Sequence, residues 1–265
     1  MKQISGVIVN FGKIVDEAKK YIIEGIQSGR INSEPTITDR FLEFLEVEIN
    51  RHGRRKYGRK VLTLHATTLL DRGKNSPESR FGADFAVILD IDVIGFKLKK
   101  GFLCQAKREN NGMVVEIIRR STTVIFSINS EFHKLQKQVH NMLEITPDSF
   151  VMIYGEHEFL VIPASSVSGL HDKGSLYAKR VADFFMEFLM CFIGDPRLNN
   201  DDPDNWASLK ENAKRIIKID IREEENKVTK KESRAPIDYP KIDIKSNEIL
   251  MVDNQQKIMP LISSK

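Results

Sequence analysis

The chain has 265 residues, of which 41% are hydrophobic and 29% charged, with a formal net charge of +4, enough apolar content for a real core in one large domain, with or without an appendage. No apolar run reaches the ~20 residues of a membrane span, and the N-terminal stretch lacks a signal peptide's apolar centre and cleavage site, so a soluble cytoplasmic protein is expected. Cys104 and Cys191 both lie inside apolar runs, which favours burial as small hydrophobes over a disulfide or a zinc site.

In chain order, residues 12–27 have the apolar spacing of an amphipathic helix, and 36–50 of a second, with Thr36 or Thr38 as its cap. Ile37, Phe41, Phe44 and Leu45 share one face of that second helix, and Glu48 falls on the same face. A carboxylate aimed at a core must be paired, protonated or functional. Next comes "RHGRRKYGRK" (51–60), with six Lys or Arg in ten residues, expected as a basic loop. Its Gly53 and Gly58 have the spacing of a phosphate-binding loop, but Arg59-Lys60-Val61 replaces the Lys-Ser/Thr that such a loop needs.

Residues 60–70 predict a strand and 72–79 a loop. Two further strands, 82–92 and 101–108, are expected around a turn holding Gly95 and the basic "KLKK". A helix over 130–143, strands over 149–155 and 158–167, and a strongly apolar helix over 176–194 follow. Beyond "GDPRLNNDDPDNW" the chain has a short helix near 207–217 and then charged, poorly periodic sequence. The expected organisation is a domain over 1–195 and a partly irregular C-terminal appendage over 196–265. The order of elements predicts an α/β or α+β layered fold, a mixed β-sheet flanked by helices.

The two strands around Gly95 carry the chemistry. With the hairpin apex at Gly95, Asp84 opposes Lys107, and the period of two puts Gln105 beside Lys107 on the same sheet face. A carboxylate, an amide oxygen and an ammonium then converge. Hard oxygen ligands suit Mg²⁺, which binds through one or two carboxylates and keeps waters for a substrate phosphate to displace. The lysine adds a cation to orient the attacking water or offset phosphate charge. The plainer alternative is that Asp84 caps a turn after Gly82 and that Gln105 and Lys107 are exposed positions of an edge strand. Phe102, Leu103 and Cys104 argue for a buried strand instead. Asp90 and Asp92 are expected to pair with Lys97 and Lys99 rather than act as ligands, and His65 to be a packed or hydrogen-bonded strand residue.

These residues resemble the PD-(D/E)xK restriction-endonuclease-like nucleases, most of all their Gln-x-Lys branch of Mrr-like and anti-phage enzymes. The likeness rests on "GAD", "QAK" about twenty residues later, and an acid-bearing helix upstream, and covers roughly residues 36–165. It implies a restriction-endonuclease-like core and a DNA endonuclease of restriction or anti-phage defence. Asp84, Gln105 and the Ala106 carbonyl would hold Mg²⁺, with Mn²⁺ as a substitute, and Lys107 would act on the water. The helix glutamate maps to Glu48 or to Glu46. Gln105 replaces the commoner acid, and Glu78 could supply the missing charge. Arg51, Arg54, Arg55, Lys56 and Arg59 would track the phosphate backbone, extended by Lys99, Lys100 and Arg108. DNA is the expected partner, with RNA open, in a homodimer or a larger defence complex. The alternative from another class is a catalytically inactive nuclease-fold subunit that binds nucleic acid or scaffolds a complex.

Overall fold

The computed structural model describes residues 2–57, 60–71, 82–109, 113–118, 121–171 and 174–225. Two helices open the chain, α1 (Lys2–Gln27) and α2 (Glu34–His52), followed by strands β1 (Arg54–Tyr57), β2 (Lys60–Asp71), β3 (Ala83–Val93), β4 (Phe96–Arg108), β5 (Met113–Ile118) and β6 (Ser121–Phe126). Helix α3 (Ser130–Ile145), strands β7 (Ser149–Tyr154) and β8 (Phe159–Pro163), helix α4 (Ala164–Ser168) and strands β9 (Gly174–Tyr177) and β10 (Lys179–Arg180) come next. Helices α5 (Val181–Leu189) and α6 (Pro203–Asn212) lead to the last strand, β11 (Ala213–Glu225).

Eight strands form one mixed sheet in the order β1-β2-β11-β3-β4-β7-β8-β10, and β5-β6-β9 form a second, small one. Strand β3 runs parallel to β11 and antiparallel to β4, and β4 runs parallel to β7. Both faces of the large sheet are covered, which is why β3, β4 and β7 carry consecutive buried apolar residues over 85–89, 102–104 and 150–153 rather than apolar residues only at alternate positions. One core layer joins α1, α2 and α5 to Phe85, Val87, Leu89, Phe102, Cys104 and Ala106. The other joins α3, α4 and α6 to Ala86, Ile88, Leu103, Val151 and Ile153. Phe102 is the hub of the first layer, edge-on to Phe85, Phe150, Phe184, Phe185 and Phe188. Each such pair is worth about 0.5–1.5 kcal/mol beyond the area it buries. None of the helices is long and apolar enough, among the described residues, to cross a membrane.

Four expectations change. The described part of the expected loop, 51–57, is regular: Arg51 and His52 end α2, Gly53 caps it, and residues 54–57 pair with β2 as an edge strand. The "KLKK" segment belongs to β4, because the hairpin turn is only Ile94-Gly95, where Gly95 takes φ 80°; that left-handed geometry costs glycine nothing. Residues 176–194 split into strand pairings up to Arg180 and a nine-residue α5 that ends at Leu189, where Cys191 takes φ 69° although the apolar run continues through Phe192 and Ile193. The boundary at 195 also fails. Strand β11 lies between β2 and β3 in the middle of the large sheet, and residues 1–226 form one compact unit. Ile217, Ile219 and Ile221 fill the first core layer, while Lys218, Asp220 and Arg222 alternate onto the other face. That alternation of charge with isoleucine is a strand's period of two.

A candidate metal and phosphate site at the ends of β3, β4 and α2

Helix α2 starts earlier than its threonines suggest. Ser33 is the cap, in extended conformation, with its hydroxyl accepting from the Thr36 backbone N–H at 3.4 Å, and Pro35 lies in the first turn. Serine caps and first-turn prolines both satisfy or remove orphan N–H groups. Glu34 is thereby fixed in the first turn, at the end of the helix that meets the close of β4. The Arg108 backbone N–H donates to Glu34 Oε2 at 3.0 Å, and Lys107 Nζ lies 3.3 Å from Glu34 Oε1.

Asp84 begins β3. Two residues before it, Gly82 packs against α3, where a Cβ would come within 2.9 Å of the Gln138 carbonyl oxygen. Register brings Asp84 level with Gln105, not with Lys107 as a turn one residue later would require, because Phe85 pairs with Cys104 and Val93 with Phe96. The offset is two residues, so the side chains keep to one face. Asp84 Oδ2 accepts from the Ala106 backbone N–H at 3.0 Å and from the Gln105 amide. On the other side, β11 pairs Ala213 with Ala83 and Arg215 with Phe85, which sets Lys214 level with Asp84. Lys214 Nζ lies 2.7 Å from Asp84 Oδ1.

The result is a row of Lys214, Asp84 and Gln105 across three strands, with Lys107 and Glu34 at its end. Gln105 is buried, and the Asp84, Lys107 and Glu34 side chains are 12%, 21% and 29% exposed. Burial pushes the Glu34 carboxyl above its usual range, and the nearby Asp84 charge adds to this, while Lys107 and the Arg108 N–H pull the other way.

The donors fit a hard dication. Asp84 and Glu34 offer carboxylates, and Gln105 and Ala106 offer neutral oxygens, which matches the Mg²⁺ habit of one or two carboxylates with water completing the shell. The Gln105 amide now presents its NH₂ to Asp84, and a half-turn of that amide exchanges nitrogen for oxygen in nearly the same space. Among the described residues no group of three or more His, Cys, Asp or Glu that could hold a metal ion converges.

Glu48 does not reach this site. It accepts from Arg51 at 2.7 Å and faces His52 at 3.3 Å, fourteen residues along α2 from Glu34, or about 21 Å at 1.5 Å per residue. Glu46 accepts from the Thr68 backbone N–H and hydroxyl. The α2 carboxylate at Asp84 is Glu34, legible in "SEPT" only once Ser33 rather than Thr36 is read as the cap. Lys214 has no local signal, because its position follows from β11 lying beside β3. Glu78 and Arg59 fall outside the described residues, as does the side chain of Arg55.

Among the other basic residues, Arg51 is exposed beside Glu48, Arg54 lies 3.6 Å from Glu224, and Lys56 is exposed. Lys99 is held between Asp90 and Asp201. Lys100 is not a surface cation: only 2% exposed, it donates to the Ile193 carbonyl and sits 4.7 Å above the Phe188 ring. Arg108 is adjacent to the site and donates to the Asn32 carbonyl at 2.8 Å. Asp90 and Asp92 lie toward the turn end of β3 and pair with Lys99 and Lys97 as expected, and His65 bonds Thr67. Compared with known proteins, the chain matches no family model, no curated protein and no solved structure.

Proposed function

We propose that the protein is a Mg²⁺-dependent nuclease with a restriction-endonuclease-like core that hydrolyses DNA phosphodiesters through a metal-activated water. The observation that carries this is the meeting of Asp84, Gln105, Lys107 and Glu34 at the adjoining ends of β3, β4 and α2. Asp84, Glu34, the Gln105 amide oxygen and the Ala106 carbonyl would hold the ion, which supplies Lewis acidity and an acidified water. Glu34 holds the Lys107 ammonium at the mouth of the site, where it can orient that water and offset charge building on the phosphate. Lys56, Arg54 and Arg108 are cations for backbone contact that carry affinity without sequence; Lys99 and Lys100 are withdrawn from that surface. Restriction or anti-phage defence is the biological setting that the resemblance suggests, with a homodimer or a larger complex as the form in which both strands are cut.

The second reading is a nuclease-fold subunit that binds nucleic acid without cutting it. It is favoured by the saturation of Asp84, whose two oxygens already accept from Lys214, the Ala106 N–H and the Gln105 amide. Incubation of the purified protein with supercoiled plasmid separates the two. Nicked and linear products that need Mg²⁺ or Mn²⁺ and vanish with EDTA are expected; binding by gel shift with no cleavage under any divalent metal would favour the second reading.

The two helix carboxylates give a paired prediction. Glu34→Gln removes a charge that faces Asp84 and Lys107, and is expected to slow cleavage by roughly 10²-fold or more, the scale of losing one aligned electrostatic group. Glu48→Gln, about 21 Å away along the helix, is expected to stay within about threefold of wild type. Initial rates on plasmid measure both, and equal losses would place the helix acid elsewhere.

A further inference from the structure

We infer that Lys214 is a built-in competitor of the metal, its ammonium occupying the position on Asp84 that a divalent ion takes. This rests on the metal-dependent reading above and deepens it. Asp84 Oδ2 is engaged by the Ala106 N–H at 3.0 Å and by the Gln105 amide. Oδ1 is the oxygen left to bind a cation, and Lys214 Nζ lies 2.7 Å from it. A magnesium ion sits about 2.1 Å from a carboxylate oxygen, so the ion and the ammonium would stand only a few ångströms apart, with like charges in a partly buried setting.

Charge arithmetic points the same way. Asp84 and Glu34 carry two negative charges, and Lys107 and Lys214 two positive ones. Among the described residues these four groups balance without a metal, and a dication added to all four leaves them two charges in excess. Lys107 is the less able of the two lysines to relieve this, because it is more deeply buried, beside Glu34. Lys214 can relieve it, because its side chain is 36% exposed and its long stem can swing toward water while the strand stays fixed. The metal-free site is therefore held together by a lysine rather than left as an open pair of acids. The ion enters by displacing that lysine, and the concentration at which the enzyme loads is set by the exchange. A substrate phosphate near the site would give the displaced ammonium a new partner, coupling DNA binding to loading.

Mn²⁺ binding to the full-length protein, followed by electron paramagnetic resonance of the free ion, tests this without any turnover. Lys214→Met is expected to tighten Mn²⁺ binding about tenfold, Lys214→Arg to leave it near wild type, and Asp84→Asn to abolish it. Thermal melts of each variant check that it folds. Unchanged or weaker binding by Lys214→Met, with wild type binding normally, overturns the inference and leaves the metal-dependent reading intact. If neither protein binds Mn²⁺ at millimolar concentration while both are folded, the metal-dependent reading itself fails, and this inference falls with it.

Discussion

Lys107→Ala is expected to lower metal-dependent DNA cleavage by about 10³-fold or more while DNA affinity stays within about threefold. The asymmetry follows from where the ammonium sits. Lys107 is mostly buried and held by Glu34, at the end of the row formed by Asp84 and Gln105, so on the proposed nuclease reading it would meet a reacting phosphate rather than the length of the duplex. A loss near 10³-fold corresponds to about 4 kcal/mol of transition-state stabilisation, within the range for removing one aligned charge from a water-poor site. Binding draws instead on several dispersed cations, each contributing a small share. The deletion also leaves Glu34 buried without its ammonium, although the Arg108 N–H at 3.0 Å still supports it. Lys107→Arg controls for that effect: it restores the ion pair, and its bulkier planar head is expected to recover folding stability more fully than rate. Single-turnover cleavage and fluorescence anisotropy on one oligonucleotide duplex give the two numbers. Parallel loss of affinity and rate would make Lys107 a general DNA contact, and an unaffected rate would remove it from the chemistry.

How much of this was legible beforehand can be argued from particular residues. The hairpin was visible because Asp84, Gly95 and "QAK" are local in sequence, and an error of one residue in the apex moved the pairing by two, which preserves the face. The sheet flanked by helices was visible for the same reason: β2, β3, β4, β7 and β8 are apolar enough to declare themselves. Long-range partners were not. Glu34 lies 50 residues before Asp84 and Lys214 lies 130 after it, and no spacing rule joins them. Glu48 attracted the helix role because it sits near the apolar face, yet its acid is satisfied locally by Arg51 and His52. Strand β11 was hidden by its charges. In "IIKIDIREEE" the acids and bases suggest a solvated tail, but Lys218, Asp220 and Arg222 lie on one sheet face and pair there with one another and with Asp90. Lys100 misled in the opposite sense, since a lysine in a basic run is seldom buried, and this one lies beneath Phe188.

Those β11 charges support the prediction with the largest effect on stability: Asp90→Asn is expected to cost about 3–5 kcal/mol, the range for removing one partner of a buried ion pair. The Asp90 side chain is 3% exposed and pairs with Arg222 at 2.9 Å, Lys218 at 3.1 Å and Lys99 at 3.4 Å. Burial pushes its carboxyl up, but hydrogen bonds and charge from Arg222 and Lys218 prevail and hold it at about 2 instead of 3.8. Asparagine is nearly isosteric, so the loss is electrostatic: three cations from β4 and β11 remain facing one another with only the more exposed Asp220 and Asp201 between them. Because the folded state depresses this pKa, the stabilisation is complete above the unfolded value near 3.9 and is lost as pH falls through about 2. That shift amounts to roughly 2–3 kcal/mol, so about half of the total deficit is pH-dependent. Urea melts of wild type and variant are expected to differ by a constant margin from pH 6 to 8, and that margin is expected to narrow by roughly half as pH falls from about 4 to about 2. In a chain of this size the neutral-pH margin lowers the melting temperature by roughly 10 °C. A deficit under 1 kcal/mol, or one that does not narrow in acid, would mean that the β3–β11 seam is held by its isoleucines alone and that the charge cluster contributes nothing to it.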